Sequence, residues 1–287
     1  MNPRIQIEID VEEKPARVFR ALTETGELER WFAEKALVSL AEKRFDFWGR
    51  FTPGNPGPDS GRHALGACDP PRKLSFDWSL RGQRTHVEIS LAETPKGTLL
   101  SLAHDAPPRG ETELSFADFW LISFENLRRY VEKGAEPVRL DYSSSPRGRV
   151  ELALDIEASS KDVFRALTRP EDIDVWMTAT SRVEPVAGGR YELGWKGEGP
   201  IRILEIVPDE KLSYSWAHGG DPDTIVTWSL EGSEGRTRLV LVHSGFGERD
   251  TEDFRTGWLK HALWLKGLVE KKTWKLPTLA RNDCTTV

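Results

Sequence analysis

The side chains best able to do chemistry in this chain are two histidines, His104 and His243, separated by 243 − 104 = 139 positions and set in matching local sequence. Each ends a strand-patterned run just ahead of a long helix-patterned stretch. An imidazole there, with an ordinary pKa near 6.5, can serve as a general base or hold the polar end of a ligand; it can equally hydrogen-bond a loop carbonyl and do nothing more. His243 is the better candidate base. The remaining histidines, His63, His86, His218 and His261, show no metal-ligand spacing such as His-Glu-x-x-His, so no metal site is expected. No Gly-x-Ser-x-Gly elbow occurs. Gly188-Gly189-Arg190 lacks the Lys-Ser/Thr of a phosphate loop and reads as a turn into a strand, so no cofactor is expected either.

A second set of residues is aromatic. The chain has 11 Trp and 12 Phe. Trp48, Trp78, Trp195, Trp216 and Trp228 fall in strand-patterned segments, Trp120 and Trp258 in the long helical ones. Such rings either fill a core or wall a pocket for a flat apolar molecule, and the sequence leaves both open. These seven tryptophans, with His243, form the candidate ligand-binding set.

The elements that must position them are written twice. Val18-Phe19-Arg20-Ala21-Leu22-Thr23 recurs as Val163-Phe164-Arg165-Ala166-Leu167-Thr168, displaced by 163 − 18 = 145. Lys73-Leu74-Ser75-Phe76-Asp77-Trp78 returns as Lys211-Leu212-Ser213-Tyr214-Ser215-Trp216, displaced by 211 − 73 = 138. The first copy is therefore longer in its middle by 145 − 138 = 7 residues, within the Pro- and Gly-rich Thr52–Gly61 segment. That composition predicts an exposed loop, either a tolerated surface insertion or a lid or partner-docking loop. A period this long makes each copy a complete domain and not a solenoid unit.

Within a copy, Ile5, Ile7, Ile9 and Val11, or Val150, Leu152, Leu154 and Ile156, alternate with polar residues as a one-faced strand. Two short helices follow, the second bearing Trp31 or Trp176, which is expected to anchor it to the sheet. Short β-branched and aromatic runs between turn residues then predict an antiparallel sheet. Phe116, Trp120, Phe124, Leu127 and Val131, repeated as Phe254, Trp258, Ala262, Leu265 and Val269, predict a long closing helix. We expect a first domain at 1–135, a linker at 136–149, a second domain at 150–273 and a loosely held tail at 274–287.

A formal charge of −6 without a basic stripe argues against a nucleic-acid surface. Cys68 and Cys284 occupy non-equivalent places and suggest no disulfide framework, which fits a reducing cytoplasm. The opening residues lack an apolar run, so neither a secretion signal nor membrane insertion is expected.

This order of elements resembles the helix-grip fold of the START-like (SRPBCC) superfamily. Val163–Thr168 with Trp176, then Leu241-Val242-His243-Ser244-Gly245-Phe246 ahead of a helix bearing Trp258, is similar to the branch named after the activator of Hsp90 ATPase homologue. The first copy departs from it, with His104-Asp105-Ala106-Pro107 in place of His243-Ser244-Gly245-Phe246. The resemblance implies an α+β chain of two tandem helix-grip domains, each a curved antiparallel sheet with two short helices around a long C-terminal helix. It implies a cavity between sheet and helix that in many relatives holds a small apolar ligand. Three functions follow as expectations: capture of a hydrophobic or aromatic ligand without catalysis; an enzyme of the cyclase, aromatase or hydrolase kind; or a module binding an Hsp90-type chaperone. The similar halves also suggest an intramolecular pairing of the two domains.

Overall fold

The computed structural model describes residues 4–80, 82–105, 113–195, 199–217, 224–233, 235–270 and 274–281. The first copy runs β1 (Arg4–Val11), α1 (Pro15–Thr23), α2 (Thr25–Trp31), β2 (Lys35–Ser39), β3 (Arg44–Trp48), β4 (Ala64–Asp69), β5 (Lys73–Leu80), β6 (Gln83–Thr94), β7 (Gly97–Asp105) and α3 (Glu113–Lys133). The second runs β8 (Arg149–Ile156), α4 (Ser160–Thr168), α5 (Pro170–Met177), β9 (Arg182–Val183), β10 (Tyr191–Glu192), β11 (Ile203–Val207), β12 (Lys211–Trp216), β13 (Thr224–Ser233), β14 (Arg236–Ser244) and α6 (Glu252–Glu270). A last strand, β15 (Thr278–Arg281), follows. The chain divides into two compact units, Met1–Ser144 with Pro277–Val287, and Ser145–Leu276.

All strand pairing is antiparallel. The first unit has an eight-stranded sheet in the order β15-β1-β7-β6-β5-β4-β3-β2. The second has a five-stranded sheet, β11-β12-β13-β14-β8, and a separate β10-β9 pair. In each unit the first strand lies beside the last strand of its copy, in register Ile7↔Leu102 and Leu152↔Leu241. The alternation predicted for the opening strands is visible as burial: Ile7, Ile9 and Val11 point inward, as do Val150, Leu154 and Ile156.

The polar pins of the fold repeat as faithfully as its apolar residues. Trp31 Nε1 donates to the Ala21 carbonyl at 2.8 Å and Trp176 Nε1 to that of Ala166 at 2.9 Å, fastening the second short helix to the first. The Glu132 carboxylate accepts from the Glu12 amide, and Glu270 from Glu157, both at 2.8 Å, tying each long helix to the end of its opening strand. Thr98 and Thr237 hydroxyls donate to the Glu13 and Ala158 carbonyls at 2.6 and 2.8 Å. A buried backbone carbonyl left without a donor is costly, so a duplicated chain keeps these contacts when surface residues drift.

Two segments differ from expectation. Residues 136–140 are held to the first unit and do not behave as a free linker. Asn126 exchanges two hydrogen bonds with the Val138 backbone, at 2.8 and 3.0 Å. Arg139 donates to the Glu29 and Ala33 carbonyls and lies 4.0 Å over the Phe51 ring. Thr278–Arg281, expected in a loose tail, pairs with β1 from Glu8↔Thr278 to Ile5↔Arg281, because the outer edge of β1 offers unpaired amides and carbonyls to any extended segment. Residues 282–287, Cys284 among them, and His218 lie outside the described residues.

Candidate functional site

Both paired histidines are fully buried and belong to a hydrogen-bonded frame. In the first unit Trp120 Nε1 donates to His104 Nδ1 at 3.0 Å. An indole nitrogen can only donate, so Nδ1 is the bare nitrogen and the proton sits on Nε2. His104 Nε2 then donates to Thr85 Oγ1 at 2.9 Å, and that hydroxyl donates to the Trp78 carbonyl at 2.9 Å. The second unit repeats the relay: Trp258 Nε1 to His243 Nδ1 at 2.9 Å, His243 Nε2 to Thr224 Oγ1 at 2.7 Å, Thr224 to the Trp216 carbonyl at 3.5 Å. Each relay locks the long helix to three adjacent strands, β7, β6 and β5 in the first unit and β14, β13 and β12 in the second. Burial pushes the His104 ring down to about 3, with the nearby His86 acting in the same direction. Both nitrogens of each ring are engaged with the fold. Of the two roles open to His243 and His104 in the sequence, general base or hydrogen-bonded frame member, these contacts are those of a frame member.

The aromatic candidates separate in the same way. Trp78, Trp120, Trp228 and Trp258 are core residues whose rings touch one another or other buried rings, with Trp78–Trp120 centroids at 5.6 Å and Trp228–Trp258 at 5.6 Å. Each has its indole hydrogen satisfied, Trp228 by the Tyr214 hydroxyl at 3.1 Å and Trp78 by Asn55 Oδ1 at 2.5 Å. Trp48 follows the inward-facing Phe47 on β3, and alternation turns it to the opposite face of the strand, where it is half-buried. Its expected place in a cavity wall is corrected on that ground.

Trp195 and Trp216 differ from the rest. They meet edge to face at 5.6 Å in the second unit. Trp195 is half-buried; Trp216 is 5 % exposed, and its Nε1 has no hydrogen-bond partner among the described residues. Gly194 sets the position of Trp195: its φ is +84°, and a Cβ there would collide with the Thr180 carbonyl. His261 completes the group, with its ring 5.5 Å from that of Trp195 and its Nδ1 donating to the Trp176 carbonyl at 3.0 Å. Burial, aided by Lys260, holds that imidazole well below its ordinary range, so it is neutral, with Nε2 as an acceptor. The sequence signal that would have found His261 is its spacing, one turn beyond Trp258 on the same helix face.

The segment Thr52–Gly61 was expected to be an exposed loop. Thr52 and Asn55 are instead buried, Asn55 completely. Its amide nitrogen donates to the Ser60 carbonyl at 2.6 Å, which orients Oδ1 toward Trp78. Nothing in the local composition foretold this, because Asn is as common in exposed turns as Pro and Gly.

Among the described residues no group of three or more His, Cys, Asp or Glu side chains is placed to hold a metal ion. No described helix is long and apolar enough to cross a membrane.

A curved antiparallel sheet closed on a long C-terminal helix, present twice, defines a tandem helix-grip protein of the START-like class. The model of the Activator of Hsp90 ATPase homolog 1-like family matches residues 13–132 and again 157–270, and the chain belongs to that family. No curated protein matches the chain. Among solved structures, one from Mesorhizobium loti is similar at 25 % identity over 44 % of this chain and 98 % of its own, with a TM-score of 0.39. The Aha1 dimer from Colwellia psychrerythraea is 22 % identical over 44 % and 98 %, with a TM-score of 0.40. DynU16, a protein of the dynemicin biosynthetic locus, is 18 % identical over 93 % of this chain and 97 % of its own, with a TM-score of 0.37.

Proposed function

We propose that the protein binds one small apolar, flat molecule in its second helix grip, without carrying out chemistry on it. The observation that supports this most is the pairing of Trp195 with Trp216. Two large rings at one end of the grip, one half-buried and one carrying an unpaired buried N–H, offer a stacking face and a hydrogen-bond donor together. Sites for small molecules are built this way, mostly apolar with a few placed polar groups. Of the histidines beside that place, His243 has both ring nitrogens engaged in its relay and His261 is fixed through Nδ1 to the Trp176 carbonyl, which supports a framing role for both.

The test is thermal. Aromatic ligands at saturating concentration should raise the unfolding temperature of the second unit by mass action, by about 2.7 kcal/mol of added stability at a concentration 100 times the Kd. Trp195→Ala should weaken that effect. Absence of any shift across aromatic ketones, phenols and polycyclic hydrocarbons would remove the reading. The family match over both halves supports a second reading, binding to an Hsp90-type chaperone. It predicts stimulated ATP hydrolysis when the full chain is added to such a chaperone, and an unchanged rate would discard it.

A further inference from the structure

The two copies treat one tryptophan differently. Trp78 and Trp216 are equivalent by the 138-residue displacement, and both end in the same frame, with their carbonyls accepting from Thr85 and Thr224. Their indoles diverge. Trp78 lies parallel to His104, at 5.8 Å and 10°, while Trp216 stands edge-on to His243, at 5.5 Å and 64°. Trp78 Nε1 donates to Asn55 Oδ1, and Asn55 comes from the segment that the second copy lacks. Trp216 Nε1, 5 % exposed as a residue, meets no acceptor among the described residues.

A buried N–H that has lost its water and gained no partner is unfavourable, so the second copy retains a cost that the first removes with its own chain. Asn55 is held for this purpose at three points. Its amide nitrogen faces the Ser60 and Ser79 carbonyls, at 2.6 and 3.5 Å, and its own carbonyl accepts from the Gly49 amide at 2.8 Å. The side-chain carbonyl that remains is planar, uncharged and aimed at the indole. Trp264 Nε1 is also buried without a partner, but Asn126 stands at its place in the first copy, so the repeat offers no counterpart from which to read an acceptor.

We propose that the second grip takes a molecule presenting an uncharged carbonyl-type acceptor to Trp216 Nε1, and that in the first grip Asn55 Oδ1 fills that acceptor's place. The inference rests on the ligand-binding reading above and adds the chemical class: a flat apolar body bearing a ketone, ester, amide or quinone oxygen. It also assigns one ligand to the full chain, since the first copy carries its own.

The test uses 2-acetylnaphthalene and its near-isostere 2-isopropenylnaphthalene, which differ in replacing the carbonyl oxygen by a methylene. Each is titrated into the full chain carrying 15N-labelled tryptophan, with indole resonances assigned from single Trp→Phe variants. One buried hydrogen bond should make the ketone bind about tenfold tighter than the alkene. The Trp216 indole resonance should move with the ketone and not with the alkene, while Trp78, already paired, stays still. Trp216→Phe should bind both probes equally. Asn55→Ala should raise the number of ketone sites from one to two and make the Trp78 resonance respond. Equal binding of both probes to the unaltered chain, with Trp216 unmoved, overturns the acceptor assignment and leaves the ligand-binding reading standing. Binding of neither probe overturns that reading, and this inference with it. Movement of the Trp78 resonance in the unaltered chain overturns the role given to Asn55, whether or not the Asn55 variant folds.

Discussion

Acidification should destabilise the first unit through two buried imidazoles, and the structure sets the size of the effect. His63 packs against Phe47 at 4.2 Å between centroids, and both its ring nitrogens lack a hydrogen-bond partner among the described residues. Burial pushes it down to about 4, against a smaller opposing pull from Asp46. His104 is pushed down to about 3 by burial in its relay. In the unfolded chain both titrate near 6.5. A folded value below the unfolded one means that the unfolded state binds protons first. The stability is therefore fully present above pH 6.5, declines below it, and is lost as pH falls through the folded values. At pH 5 each ring has forfeited about 2 kcal/mol, or about 4 kcal/mol for the pair relative to pH 7.5. That is a large fraction of the ~5–15 kcal/mol that holds a domain together. Urea unfolding followed by tryptophan fluorescence at the two pH values measures it. His63→Ile isolates one share, because Ile201 occupies the equivalent buried place in the second copy, where the Ile201 and His63 carbonyls accept from Tyr191 and Phe45 amides. The variant should lose about 2 kcal/mol less than the parent between pH 7.5 and 5. An identical pH dependence in parent and variant would refute the assignment of that burial cost to His63.

Four further outcomes follow from the same contacts. Thr85→Val, nearly isosteric, leaves the His104 Nε2 proton without an acceptor and the Trp78 carbonyl without its donor; it should cost about 1–3 kcal/mol in urea unfolding, and Thr224→Val should do the same in the second unit. Asn55→Ala should lower first-unit stability by about 1–3 kcal/mol by orphaning the Trp78 indole hydrogen, and a loss below 0.5 kcal/mol, on that ~1–3 kcal/mol scale, would contradict the pairing. Gly194→Ala forces a Cβ onto the Thr180 carbonyl at a positive φ, and should both destabilise the second unit and shift the Trp195 fluorescence. Ending the chain at residue 276 removes β15 and bares the edge of β1; size-exclusion chromatography should then show a larger associated fraction than for the full chain at the same concentration.

Much of the fold could be read because the chain states it twice. The paired occurrence of Val18–Thr23 and Val163–Thr168 set the domain count, and the recurring steps of the long helix marked the element that closes each grip. The recurrence of His104 and His243 marked them as important without saying how. A base and a frame member have the same side chain. The difference lies in the Trp and Thr that meet the two ring nitrogens, 16 and 19 residues away in the first unit. The Pro- and Gly-rich segment was harder still, because composition reports where the backbone can turn and says nothing of which side chain the turn drives inward.

By itself, the sequence determined the duplication, the α+β order of each copy and the family to which both belong, since periodicity and repetition are properties of a one-dimensional string. Only the tertiary structure decided which aromatic rings fill the interior, which indole hydrogen is left unpaired, and that Asn55 answers Trp78. Hydrogen-bond direction and loss of water are fixed by neighbours that the chain brings together from distant positions, and two equivalent tryptophans can differ in both while their local sequences stay alike.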